Sequence, residues 1–182
     1  MVKRALAPHS YLSVTRQRGA EPPPHSSVKR IFEPSLLKVA ECVSDITRTV
    51  VFGKATTRQT EVWNKELEAQ TAAFKAVEIG APCERVDAAA RAVIEKASFG
   101  PGYRVPGLPH RTGHGMGLDG HEWTNFVMGN TTPIQPGMCF SDEPMISIPG
   151  EFGIRLEDDL YIGEDGPHFF SKQSIAIDQP FG

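Results

Sequence analysis

The chain has 182 residues, a net charge of -3, 40% hydrophobic residues and three cysteines. That length suits one domain with a sizeable core, and the charge speaks against a general nucleic-acid binder. No apolar run approaches the ~18 residues of a membrane span, and Cys42, Cys83 and Cys139 are an odd set without CxxC or metal-knuckle spacing, which argues against a disulfide framework and leads us to expect a reducing, cytoplasmic setting.

The first element in chain order is a charge boundary. Residues 1–41 hold seven Lys/Arg against Glu21, Glu33 and Glu41, a balance of +4 that leaves -7 for the remainder. The opening MVKRALAPHSYLSVTRQRGAEPPPHSSVKR has no sustained apolar period and a run of three prolines, so it is expected to be disordered. Its acid-poor start also suits an organelle transit peptide, against which the prolines argue by opposing an amphipathic helix. Residues 1–42 are therefore set apart from a domain over 43–182.

ITRTVVF, from Ile46, is rich in β-branched residues and ends at Gly53, the pattern of a strand and turn. A helix follows in TTRQTEVWNKELEAQTAAFKAVEIGAP, with Trp63, Leu67, Gln70, Phe74 and Val77 on one face and Gly80 and Pro82 as its stop. CERVDAAARAVIEKASFGPG predicts a second helix with Val86, Ala90, Val93, Ile94 and Ala97 facing inward. Beyond Gly102 the short apolar runs MCF, MISI, FGIRL and LYI, separated by Pro and Gly, predict strands.

HRTGHGMGLDGHE, residues 110–122, holds three of the six histidines and four glycines. The four-residue spacing of His110 and His114 would place two ligands on one helix face. Each glycine, however, costs a helix interior about 1 kcal/mol relative to Ala, so an extended or looped segment is expected. In an extended chain these two residues lie ~13 Å apart, and at most one can ligate a given ion. The glycines are expected to permit close backbone approach and unusual φ, leaving a slot beside the imidazoles.

Asp45, Glu143 and Glu157 each adjoin residues that favour burial, and a buried carboxylate must be paired, protonated or bound to a cation. Arg155 shares a strand face with Glu157 and could pair with it as a purely structural ion pair. Asp142, Asp158 and Asp159 read as solvated strand ends. Carboxylates with one imidazole suit Mn, Co, Zn or Fe(II) better than a thiolate-rich zinc site.

In order, SDITRT, HRTGHGMGLDGHE, PGMCFSDEP and GIRLEDDLYI resemble the metal-dependent aminopeptidases of the pita-bread fold, above all Xaa-Pro dipeptidases and Xaa-Pro aminopeptidases and their creatinase-like relatives. The likeness spans residues 43–182. It implies an α+β pita-bread fold, present in part, with a strand-rich C-terminal half. It implies that Asp45 and Glu157 bridge two divalent metal ions (Mn, Co or Zn), that His114 is the imidazole ligand and that Glu143 is a terminal carboxylate. His110 and His121 fall on substrate-side histidines, His121 for the oxyanion and His110 for a proline-containing peptide. Arg155 would orient Glu157, Glu143 would also carry a proton, and the first peptide bond of an Xaa-Pro substrate would be hydrolysed by activated water.

The resemblance also implies an aspartate eleven positions before Asp45, where this chain has Pro34, with Glu33 and Glu41 as the nearest acids. One tight ion, impaired activity and a truncated or alternative product are expected from that departure. The alternative function is a non-catalytic relative that binds metal, peptide or a protein partner. The strand at Asp45 is expected to present an unpaired edge that promotes homo-oligomers.

Overall fold

The computed structural model describes residues 42–181 and the backbone of Arg30–Ile31. The expectations for residues 1–41, including the position of Pro34 and the acids Glu33 and Glu41, lie outside the described residues.

β1 (Arg30–Ile31) and β2 (Arg48–Thr49) pair antiparallel, Arg30 opposite Thr49. The strand expected over ITRTVVF is thus two residues long, and Phe52 is half exposed beyond it. The expected open edge beside Asp45 is a correction too: β2 is paired with β1, and the preceding Thr47 exchanges backbone hydrogen bonds with Glu157 at 3.0 and 3.3 Å.

α1 (Thr57–Ala76) begins at a reciprocal cap: the Gln59 amide donates to the Thr56 hydroxyl at 3.2 Å while the Thr56 amide donates to the Gln59 side chain at 2.9 Å. Two donors that the first turn would leave orphaned are thereby satisfied. Trp63 and Gln70 of the expected inward face are buried, and Leu67 and Phe74 pack against the core from a partly buried position. α2 (Glu84–Lys96) carries Glu84 and Asp87 in its first turn and Lys96 in its last, charges that complement the helix dipole. It buries Val86, Ala90 and Ile94, and with them Asp87 and Arg91.

The remaining strands are β3 (Gly113–Gly115), β4 (Glu122–Phe126), β5 (Cys139–Asp142), β6 (Met145–Ile148), β7 (Phe152–Arg155), β8 (Asp158–Gly163) and β9 (Gly166–Phe169). Five form an antiparallel sheet in the order β4-β3-β5-β8-β9, and β6 and β7 form a separate hairpin. Among the described residues β4 and β9 are the outer strands of that sheet.

The two faces of β5 and β8 have different neighbours because successive side chains alternate. Asp158 faces α1, where the Gln70 amide donates to it at 3.0 Å, and the rings of Phe74 and Phe169 stack at 4.1 Å. Asp159 faces the other way, toward residues 43–47, and accepts from the Asp45 amide at 2.9 Å and the Ser44 hydroxyl at 3.1 Å. The reading of Asp142, Asp158 and Asp159 as solvated strand ends is therefore wrong: all three are buried. Asp158 is compensated by Arg48 at 2.5 Å and the Ser171 hydroxyl at 2.8 Å. Burial pushes the Asp159 carboxyl up to about 7, against the pull of its two donors.

Candidate metal centre

Three connections bring the acids to His114. Val43 donates its amide to the Gly117 carbonyl at 2.8 Å, which draws residues 42–45 across the end of β3. The Glu143 amide donates to the Thr112 carbonyl at 2.7 Å, joining the end of β5 to the start of β3. The Thr47 and Glu157 backbone pair supplies the third.

Asp45, His114 and Glu157 consequently present one ligand atom each, all within 4.8 Å of one another. His114 Nε2 lies 3.3 Å from Glu143 Oε1 and 3.6 Å from Asp45 Oδ2. The other imidazole nitrogen, Nδ1, is 3.0 Å from the Gly115 carbonyl. Donation there assigns the proton to Nδ1 and leaves the Nε2 lone pair directed at the carboxylates.

Arg155 is not a private partner of Glu157. Its Nη1 contacts Glu143 Oε2 at 3.0 Å, and its Nη2 contacts Glu157 Oε2 at 3.2 Å and donates to the Thr47 hydroxyl at 2.7 Å. Thr47 in turn donates to Glu157 Oε2. The guanidinium thus takes the second oxygen of each glutamate. Glu143 Oε1 faces the imidazole, and the buried Glu157 Oε1 has no hydrogen-bond partner among the described residues. Burial first and the Glu143 charge second push the Glu157 carboxyl up to about 8. Two carboxylates share one guanidinium while Asp45 faces the same imidazole, and the partnerless buried Glu157 oxygen is the kind of group a cation satisfies. An oxygen-rich donor set with one imidazole fits a hard or borderline divalent cation.

His121 and His110 flank this cluster differently. The His121 ring centroid is 4.1 Å from that of His114. Burial, then the neighbouring His114 and Arg111, lower its pKa against Asp45 and Glu143. His110 Nδ1 is 2.6 Å from the Arg111 carbonyl, and burial lowers its pKa as well.

The glycines of this segment work by close approach. A Cβ on Gly113 would stand 2.0 Å from the Ser141 carbonyl oxygen, and one on Gly115 would stand 2.8 Å from that of Glu122. Neither has positive φ. The expected open slot is filled by neighbouring backbone, which lets β3 sit between β4 and β5 and the His114 amide donate to Ser141 Oγ at 3.0 Å.

Sequence reasoning passed over Asp87, Arg91 and Arg48. Asp87 pairs with Arg91 at 2.7 Å and accepts the Thr112 hydroxyl at 2.8 Å, and Arg91 donates to the carbonyls of Gly102, Leu108 and His110 at 2.6, 3.0 and 2.6 Å. This pair holds the irregular approach to β3. Its only local signal was an Asp and an Arg one turn apart on an alanine-rich helix. Arg48 donates to the Glu157 carbonyl at 2.6 Å and so anchors the backbone of a cluster residue.

The chain is similar to known metallopeptidases in sequence and fold. The model of Metallopeptidase family M24 matches residues 36–164. The Xaa-Pro dipeptidase of Lactobacillus helveticus is 42% identical over 123 residues, 68% of this chain and 32% of that protein. The prolidase from Pyrococcus furiosus superposes with a TM-score of 0.68 at 35% identity, over 74% of this chain and 39% of that one. The X-Pro aminopeptidase from Thermotoga maritima does so with a TM-score of 0.66 at 33% identity, over 71% and 35%. The chain spans about a third of the length of these relatives.

Proposed function

Because this chain belongs to metallopeptidase family M24 and carries part of its pita-bread fold, we propose that it hydrolyses the N-terminal peptide bond of Xaa-Pro dipeptides and peptides. The observation that carries the reading is the convergence of Asp45, His114 and Glu157 within 4.8 Å, with Glu143 3.3 Å from the same imidazole nitrogen. In this reading His114, Glu143, Asp45 and Glu157 hold a divalent ion such as Mn, Co or Zn, one tightly and a second more weakly. When bound, such ions supply Lewis-acid polarisation of a carbonyl and acidify water.

The protein's own groups do the rest. Glu143 takes a proton from the attacking water and returns it to the leaving proline nitrogen, and so acts as base and then acid. His121, whose lowered pKa keeps it neutral near pH 7, donates an N–H to the carbonyl oxygen as negative charge develops there. His110, partly buried beside the cluster, seats the proline-containing part of the substrate. Arg155 fixes the second oxygens of Glu143 and Glu157 and so aims their first oxygens inward.

The test is hydrolysis of Ala-Pro against Ala-Ala, with and without added Mn2+ or Co2+, alongside metal content. Metal-dependent cleavage selective for Ala-Pro supports the reading. A chain that retains metal but cleaves neither dipeptide is instead a binding relative.

A further inference from the structure

Four sulfur-bearing residues, Cys42, Met116, Met138 and Cys139, line one cavity between the β3–β4 connection and β5. None of them takes part in the proposed hydrolysis. Cys42 is exposed and Cys139 half-buried, whereas the remaining cysteine, Cys83, is 0% exposed and lies outside the cavity.

The backbone gathers three of the four. Gly115 is opposite Phe140, which puts Met116 opposite Cys139, and the Met116 amide donates to the Cys139 carbonyl at 3.1 Å. Residues directly opposite on antiparallel strands project to the same side, with Cβ atoms about 5 Å apart. On its other side Cys139 is opposite Tyr161, two residues from Asp159, so its side chain shares the face that residues 43–47 cross. Cys42 leads into that crossing, since Val43 donates its amide to the Gly117 carbonyl at 2.8 Å, next to Met116. Glu122 closes the same corner: a Cβ on Gly117 would stand 2.9 Å from its Oε1. Burial, then the charges of Asp159, Cys42 and Glu122, push the Cys139 thiol up, as befits a thiol that faces another thiol and two acids. Met138 precedes Cys139 and packs against the core, so strand alternation turns it away.

Thiolates and a thioether are soft donors, which select Cu+ over Mn2+ or Co2+. A tetrahedral zinc site would need further N, O or S ligands. Among the described residues only Asp45, His114 and Glu157 form a group of three His, Cys, Asp or Glu ligands within 4.8 Å of one another. Two thiols and a thioether suit an ion of lower coordination number.

We propose that Cys42 and Cys139, with Met116, form a second metal site that takes a soft monovalent cation of the Cu+ class. The site is independent of the peptidase reading. On binding, each S–H bond gives way to a sulfur–metal bond and its proton passes to solvent.

Ag+, a redox-inert stand-in for Cu+, is titrated into the reduced full chain in chloride-free buffer with Mn2+ present. One ion per chain should bind tightly, with release of about two protons and a rise in near-ultraviolet thiolate-to-metal absorption. Trp123, 76% exposed on the cavity wall, should be quenched, while Trp63, 1% exposed on α1, should keep its emission. Alkylation of Cys42 by N-ethylmaleimide should slow. Cys42→Ser and Cys139→Ser should each weaken Ag+ binding by more than the roughly 10- to 100-fold that loss of a supporting partner costs a metal site. Met116→Leu, which conserves volume, should weaken it less, and Cys83→Ala and His114→Ala should leave it unchanged. Absence of tight Ag+ binding, or undiminished binding in either serine variant, overturns the proposal. Two outcomes on the unaltered chain overturn it without any variant: Cys42 alkylated equally fast with and without Ag+, or protected as well by Zn2+ as by Ag+.

Discussion

Asp87 and Arg91 form a buried ion pair at 2.7 Å on one face of α2, and the same guanidinium holds the His110 carbonyl at 2.6 Å. The buried face of α2 therefore sets the position of the loop that leads to the candidate metal centre. Asp87 is 0% and Arg91 4% exposed, so removal of either partner leaves the other charged in the interior. Asp87→Ala is expected to cost about 3–5 kcal/mol of stability. The Asp87→Ala/Arg91→Met double variant should cost less than the sum of the two single changes. Urea unfolding of the four chains measures both.

His114→Ala and His121→Ala should fail in different ways. His114 faces the carboxylates through Nε2, so its loss should remove tight metal and hydrolysis together. His121 lies beside it with its ring tilted by 51°, and its loss should keep the metal and lower the rate by roughly 10²–10³, the cost of one oxyanion donor. Metal content measured on the same preparations as the rate separates these roles, and metal loss in His121→Ala would refute the assignment.

Metal stoichiometry is expected to be unequal. Asp45, His114 and Glu157 are the only group of three such ligands found among the described residues, and affinity for hard divalent ions follows ligand charge and number. Elemental analysis after dialysis should find close to one retained ion per chain. Activity should keep rising with added Mn2+ or Co2+ after that ion is in place. Two retained ions would place a further acid at the site, and none would mean that the cluster does not bind.

Glu66 offers a stability test away from the cluster. It lies on the buried face of α1, 0% exposed, and neither carboxyl oxygen makes a hydrogen bond of good geometry with the described residues. Burial raises its pKa well above 4.5, and the nearby Leu156 amide and the Arg155 charge offset only part of this. A carboxyl with a raised folded pKa holds its proton more tightly in the folded chain. Its contribution to stability is complete below the unfolded value and is lost as pH rises through the folded value. Glu66→Met should therefore match the unaltered chain under acid conditions and exceed its melting temperature at alkaline pH by roughly 3–6 °C. Melting curves across pH check the sign; an advantage that shrinks as pH rises refutes it.

The sequence by itself determined whatever depends on near neighbours. Four glycines between His110 and Glu122 argued against a helix there, and β3 forms at Gly113–Gly115; of the two histidines four apart, the candidate ligand group contains His114. Helix periodicity likewise located α1 and α2 and much of their inward faces, because 3.6-residue spacing is a local property. The order of the four motifs pointed to the family before any coordinates.

Which acids do what was decided only in three dimensions. LEDDLYI reads the same whether Asp158 and Asp159 meet water or protein; α1 on one side and residues 43–47 on the other bury both and compensate them with Gln70, Arg48, Ser44 and the Asp45 amide. The role of Gly113 was also hidden, since a close approach is a property of the strand alongside, and the Ser141 carbonyl lies 28 residues further along the chain. Burial and electrostatics depend on everything within a few ångströms in space, and a strand's own residues do not record what packs against its two faces.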